Sequence, residues 1–243
     1  MGKRQLAVGL IVMLSAALFA GCSSKPSVRH STSDRQPVLV YYKSQALPPE
    51  FAPAGPTLIA YGTGTVYQQK GRYQYVGGKL STRELDDLLS SVVDAGFFAL
   101  KGDQGKGAPG GVTDHVAVTL TGLSNSVEAP EGTGGAFGEV VRTLEAFKIP
   151  GATSYTPTML TLHAAEYTGS QPFNGKTVAW TAEAAVLATA ADSGVTSVSG
   201  ATAQQVWKQL GDSYDPKGGV AFSAAGKTYE QVYAIPVFPL PGV

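Results

Sequence analysis

The 243-residue chain is 43% hydrophobic and 15% charged, too apolar for a disordered polymer and long enough for one or two compact domains. Eighteen basic residues balance 18 acidic ones, so no strong field points to nucleic acid. A single cysteine excludes an internal disulfide framework and a Cys-rich metal site.

Lys3 and Arg4 form a short positive n-region, and Leu6 to Ala20 is apolar or small almost throughout. That run has the length of a signal-peptide core and is shorter than the roughly 20 apolar residues a spanning helix needs. Leu18-Phe19-Ala20-Gly21-Cys22 follows. It resembles the bacterial lipobox, with Phe19 where that motif usually has Leu. The resemblance implies cleavage before Cys22, a diacylglycerol thioether on its sulfur, and acylation of its amine, for example by palmitate. Two or three chains would hold the protein firmly, since one alone binds only marginally. Loss of residues 1–21 removes two basic and no acidic residues, leaving 16 against 18, a formal charge of −2. The expected location is therefore the extracytoplasmic side of the cell membrane or outer membrane, with the lipid rather than surface charge as the membrane partner.

Residues 22–36 are Ser-rich and polar without apolar period, which predicts a flexible tether containing a solvated His30. Two α+β parts are expected beyond it, 37–150 and 151–243. Pro37 to Tyr42 reads as a strand, and Pro48, Pro49, Pro53 and Pro56 interrupt the chain after it. Strands are expected at Leu58–Tyr61, around Thr65–Tyr67 and at Tyr73–Val76, separated by glycine turns. Ser81 with Glu84 three residues on is a capping-box signature. Leu85, Leu88, Leu89, Val92 and Val93 form one helical apolar face ending at Gly96. After a Gly/Lys/Asp loop, Val116–Leu120 pairs with Ser126–Glu128. Phe137, Val140, Val141, Leu144 and Phe147 mark a second helix.

The second part offers strands at Pro157–Glu166 and Lys176–Trp180, then an alanine-rich helix capped by Thr181 and running from Ala182 to Asp192. A helix over Thr202–Leu210 buries Val206, Trp207 and Leu210. A closing hairpin pairs Gly219–Ser223 with Thr228–Tyr233, and the proline-rich end from Pro236 is expected to leave the ladder. Hairpins followed by helices indicate an α+β fold, antiparallel hairpins and sheets packed with about four helices, with two similar subdomains as one version.

The run Pro56–Tyr67, Leu80-Ser81, Gly96-Phe97-Phe98, Tyr155-Thr156-Pro157, Trp180, Gly200–Ala203 and Ile235–Pro239 is similar to a group of uncharacterised lipoproteins and secreted proteins of high-GC bacteria. This likeness implies class and location and no activity.

Chemistry-bearing residues are few. Beyond the tether the histidines are His115 and His163. Asp114 and His115 are strand neighbours pointing to opposite faces, so Asp114 does not orient His115. No Gly-x-Ser-x-Gly elbow and no Ser-x-x-Lys pair occurs. There is no His-Glu-x-x-His and no calcium loop, so neither metal nor cofactor is expected. Gly226-Lys227-Thr228 lacks the preceding glycine of a P-loop and belongs to a hairpin. Glu128, Glu131 and Glu166 read first as solvated surface and otherwise as carboxylates for glycoside cleavage. Tyr61, Tyr67, Tyr73 and Tyr75 are expected mainly as cross-strand packers; a sugar- or peptide-binding face is the other reading. The leading expectation is a lipid-anchored, non-enzymatic binding or envelope-assembly module with an envelope protein or glycan partner. The alternative is a small envelope hydrolase using His115 or His163 with a carboxylate. A histidine in a pocket within reach of both an acid and a serine would favour the hydrolase, and two isolated or packed histidines would remove it.

Overall fold

A computed structural model describes residues 28–33, 35–45, 55–105, 108, 110–171, 173–215 and 219–238. Cys22 and the lipobox lie outside the described residues, as do Pro48, Pro49 and Pro53. The architecture is α+β, with two sheets rich in antiparallel pairs, each carrying helices.

Strands β1 (Pro37–Gln45), β2 (Leu58–Tyr61), β3 (Thr65–Gly71), β4 (Gln74–Lys79), β5 (Val112–Leu120), β6 (Leu123–Pro130) and β7 (Thr153–Tyr155) form the larger sheet, in the order β6-β5-β1-β2-β3-β4-β7. Helix α1 (Thr82–Asp94) follows β4. The Ser81 hydroxyl accepts from the Glu84 N–H while the Glu84 carboxylate accepts from the Ser81 N–H, so both halves of the expected capping box form. Gly96, with φ of 83°, takes the left-handed position beyond the helix end. Helix α2 (Gly135–Ala146) presents Phe137, Val140, Val141 and Leu144. These pack with Leu85, Leu88, Leu89 and Phe97 on one face of the sheet, against Leu39, Leu58, Val66, Val116, Val118 and Val127.

Strands β8 (Met159–Glu166), β9 (Lys176–Ala179), β10 (Thr196–Ser199), β11 (Val220–Ala224) and β12 (Lys227–Pro236) form the smaller sheet, ordered β10-β8-β12-β11-β9. Its β9–β11 pair is parallel. Helices α3 (Ala184–Ser193) and α4 (Gly200–Ser213) bury Leu187, Ala190, Val206, Trp207 and Leu210 in a second core. That core also takes Ile59, Tyr61, Tyr67 and Tyr75 from the other face of the larger sheet. One apolar cluster thus joins the two parts.

Several expectations are corrected. The tether is shorter than 22–36: Val28 packs on the first core, and the Thr121 N–H donates to the Arg29 carbonyl at 2.7 Å. His30 is not solvated but 6% exposed, with Nε2 3.2 Å from Asp86 Oδ1. Gly62 permits this docking, because a Cβ there would lie 1.6 Å from the Ser31 carbonyl oxygen. The boundary at 150/151 does not separate the sheets, since β7 pairs with β4 at the edge of the larger one. Thr181 does not cap α3. Its N–H and hydroxyl both donate to Gln209 Oε1, at 2.9 and 3.0 Å, and the helix starts at Ala184. Pro236 stays in the ladder opposite Leu160, at the end of β12 beyond the reach of β11, where its missing N–H breaks no pairing.

Candidate functional site

Strand register brings the first candidate together. In the antiparallel ladders His115 lies directly opposite Tyr42 on β1 and Glu128 on β6, and Ser44 lies two residues along β1 from Tyr42. Residues opposite or two apart on neighbouring strands share a face and come within side-chain reach. His115 Nε2 is 2.8 Å from Ser44 Oγ, and His115 Nδ1 is 3.1 Å from Glu128 Oε2. An ionised carboxylate only accepts, so it takes the Nδ1–H and leaves the Nε2 lone pair for the Ser44 hydroxyl proton. The Tyr42 ring stacks on the imidazole, with centroids 4.4 Å apart and planes 4° from parallel. The His115 side chain is 18% exposed and Glu128 53%. This line lies on the face of the larger sheet that the second core covers only as far as Val40, Ile59 and Tyr61.

The opposite face of the same strands holds a denser polar knot. Asp114 is only 2% exposed and accepts the Tyr41 hydroxyl at 2.9 Å. Lys43 Nζ lies 2.6 Å from Glu131, 2.8 Å from Glu145 and 3.8 Å from Asp114. Burial raises the Asp114 carboxyl above its ordinary value, outweighing the Tyr41 bond and the Lys43 charge. The Lys43 bond holds Glu145 below the usual carboxylate range. Asp114 thus faces Lys43 and Tyr41 rather than His115, as strand alternation requires.

His163 is not part of a comparable line. Its Nδ1 faces the Gly194 carbonyl at 3.2 Å and its ring stacks on Tyr233. Glu166 pairs with Lys227 at 2.7 Å across the β8–β12 edge. Gly226 and Lys227 sit in the β11–β12 hairpin.

The four tyrosines do not form one open face. Tyr61, Tyr67 and Tyr75 are 3%, 9% and 2% exposed. Tyr67 and Tyr75 surround Phe238 at 5.0 and 5.2 Å between ring centroids. Burial pushes Tyr61 up to about 12, with the neighbouring Tyr67 adding to the rise, and raises Tyr67, Tyr73 and Tyr75 as well. All four therefore stay neutral at physiological pH. Tyr73 and Tyr75 nevertheless border an open groove of about 710 Å³ between the β3–β4 turn, β7 and α4. Arg72 lies there, its guanidinium carbon 5.5 Å from the Tyr73 ring centre and 5.3 Å from that of Tyr214. Tyr214 is 39% exposed. The charged lining of the groove is Lys70, Arg72 and the Lys208–Asp212 ion pair of α4.

Sequence reasoning missed Ser44, Arg72 and Tyr214. A signal existed for the His115–Glu128 pair, because a two-residue Thr121-Gly122 turn between the strands sets them opposite each other. No comparable signal tied Ser44 to a histidine 71 positions away. Among the described residues no cluster of three or more His, Cys, Asp or Glu could hold a metal ion, and no helix is long and apolar enough to cross a membrane. Comparison with protein-family models, curated proteins and solved structures gives no significant match for the chain.

Proposed function

We propose that this chain is a lipid-anchored, extracytoplasmic binding module that holds an anionic cell-envelope glycan in the groove between the β3–β4 turn and α4. The observation that carries the reading is the groove itself, which gathers Lys70, Arg72 and an ion-paired Lys208 beside an exposed aromatic ring, in a chain whose mature charge is −2. Local positive potential in a concave surface attracts carboxylates or phosphates despite an opposite overall charge. The Tyr214 face offers a sugar ring an apolar platform, and Arg72 beneath it keeps that ring oriented. The anchor rests on the lipobox, where the only cysteine of the chain stands at the position that acylation requires.

Co-sedimentation of the full chain with isolated peptidoglycan sacculi tests the groove. Combined Lys70→Ala and Tyr214→Ala substitutions should weaken binding about tenfold or more, and high salt should weaken the wild type. Sedimentation unchanged by both, or none at all, would overturn the reading. Separately, Cys22→Ser should move the protein from the membrane to the soluble fraction.

A further inference from the structure

We propose that Ser44, His115 and Glu128 are a serine-nucleophile hydrolytic site for carboxylic esters, independent of the groove. Three features of this line go beyond an ordinary cross-strand contact. Its atoms run in the order the chemistry needs, hydroxyl to Nε2 and carboxylate to Nδ1, at 2.8 and 3.1 Å. The imidazole plane is fixed by the stacked Tyr42 ring. The site also lies where the second core no longer covers the sheet, so a substrate can approach a half-buried Ser44. None of the three residues lines the groove beside α4 or the pocket around Phe173 and Phe222. A partly exposed line on a sheet face suits a small acyl group displayed on a large carrier, such as an O-acylated glycan.

In the acylation step Ser44 Oγ adds to the ester carbonyl carbon as its proton passes to His115 Nε2. The Glu128 carboxylate holds the imidazolium through Nδ1–H. The bond from the carbonyl carbon to the leaving oxygen breaks, and that oxygen takes the Nε2 proton to depart as an alcohol. Water then gives a proton to Nε2 while its oxygen adds to the acyl carbon. Ser44 Oγ leaves and regains its proton, releasing a carboxylic acid. Ester and water become alcohol and acid with no further reactant. Ser44 and His115 are the catalytic residues, and Glu128 is the positioning residue.

The test uses the full chain in detergent with two probes, a fluorophosphonate and p-nitrophenyl acetate. The aryl ester has a leaving group that departs without a proton and so demands little of the site. Mass spectrometry should find one phosphonyl group per chain, on Ser44, and none in the heat-denatured protein. Ser44→Ala should abolish labelling and ester turnover, whereas Ser124→Ala, an exposed serine on β6, should change neither. His115→Ala should slow both by roughly 100-fold or more. Glu128→Gln should slow them about tenfold or more, with Glu128→Asp restoring part of the rate. Matched circular dichroism spectra of the variants separate lost chemistry from lost folding. Absence of label on the folded wild type, label spread over other serines, or Ser44 labelling that persists in His115→Ala would each overturn the proposal.

Discussion

Asp114 shows how one buried carboxyl sets a pH dependence. It is 2% exposed beside Tyr41 and Lys43, yet burial leaves its proton held more tightly in the fold than in the unfolded chain, whose ordinary value is 3.8. The stability this confers is complete below that value and is lost as the pH rises through the raised one. Glu145 acts oppositely: the Lys43 bond lowers it, so its contribution is present above 4.5 and is lost as the pH falls through its depressed value. Asp114→Asn removes only the first effect and keeps an acceptor for the Tyr41 hydroxyl. Urea denaturation should therefore show wild type losing ground to Asp114→Asn as the pH rises above 3.8. A gap that moves toward wild type over this range would mean that the Lys43 charge, not desolvation, governs Asp114.

At the scale of elements, local rules worked where a segment's own residues supply the interactions. The Ser81–Glu84 box and Gly96 bracket α1 within two residues of the predicted ends. They failed where a distant group intervenes. Thr181 would cap a helix in isolation, but Gln209 of α4 takes both of its donors. Strands β7 and β10 have four residues or fewer, too short for an alternating pattern to emerge, and exist because β4 and β8 offer edges to pair with. Residues 28–33 look like linker by composition, but Val28, Arg29 and His30 each find a partner on the folded body. Gly62→Ala should dislodge this segment, because the new methyl meets backbone rather than a movable side chain. It should cost about 1–3 kcal/mol in urea denaturation and free the backbone at the already exposed Arg29 and Arg35 for cleavage by trypsin. Wild-type trypsin resistance in the variant would show that the segment does not depend on this contact.

For the molecule as a whole, the second core decides how the two sheets behave. Tyr67, Tyr75 and Tyr155 of the larger sheet close around Phe238, which follows β12 of the smaller one. Trp207 of α4 packs on Tyr73 and Tyr75. With these rings shared, the smaller sheet has no complete core without the larger one, so unfolding should be a single transition. Both tryptophans, Trp180 and Trp207, belong to the second core. Their fluorescence should therefore change at the same urea concentration as the far-ultraviolet circular dichroism of the whole chain. Phe238→Ala should lower both midpoints together, costing about 3–5 kcal/mol. Fluorescence that changes well before the dichroism would show two independently stable bodies.

The α+β class, the α1 boundaries, the hairpin strands and most core positions were decided by the sequence alone, because periodicity and turn chemistry act over a few residues and survive without tertiary context. Strand alternation already showed that Asp114 and His115 part company. What only the folded chain decided was which strands lie side by side. Ser44, His115 and Glu128 meet because β1, β5 and β6 are neighbours, and Arg72 meets Tyr214 because α4 packs on the β3–β4 turn. Such meetings depend on the register and docking of segments far apart in the chain. These are set by the burial of whole faces, which no short stretch of residues records.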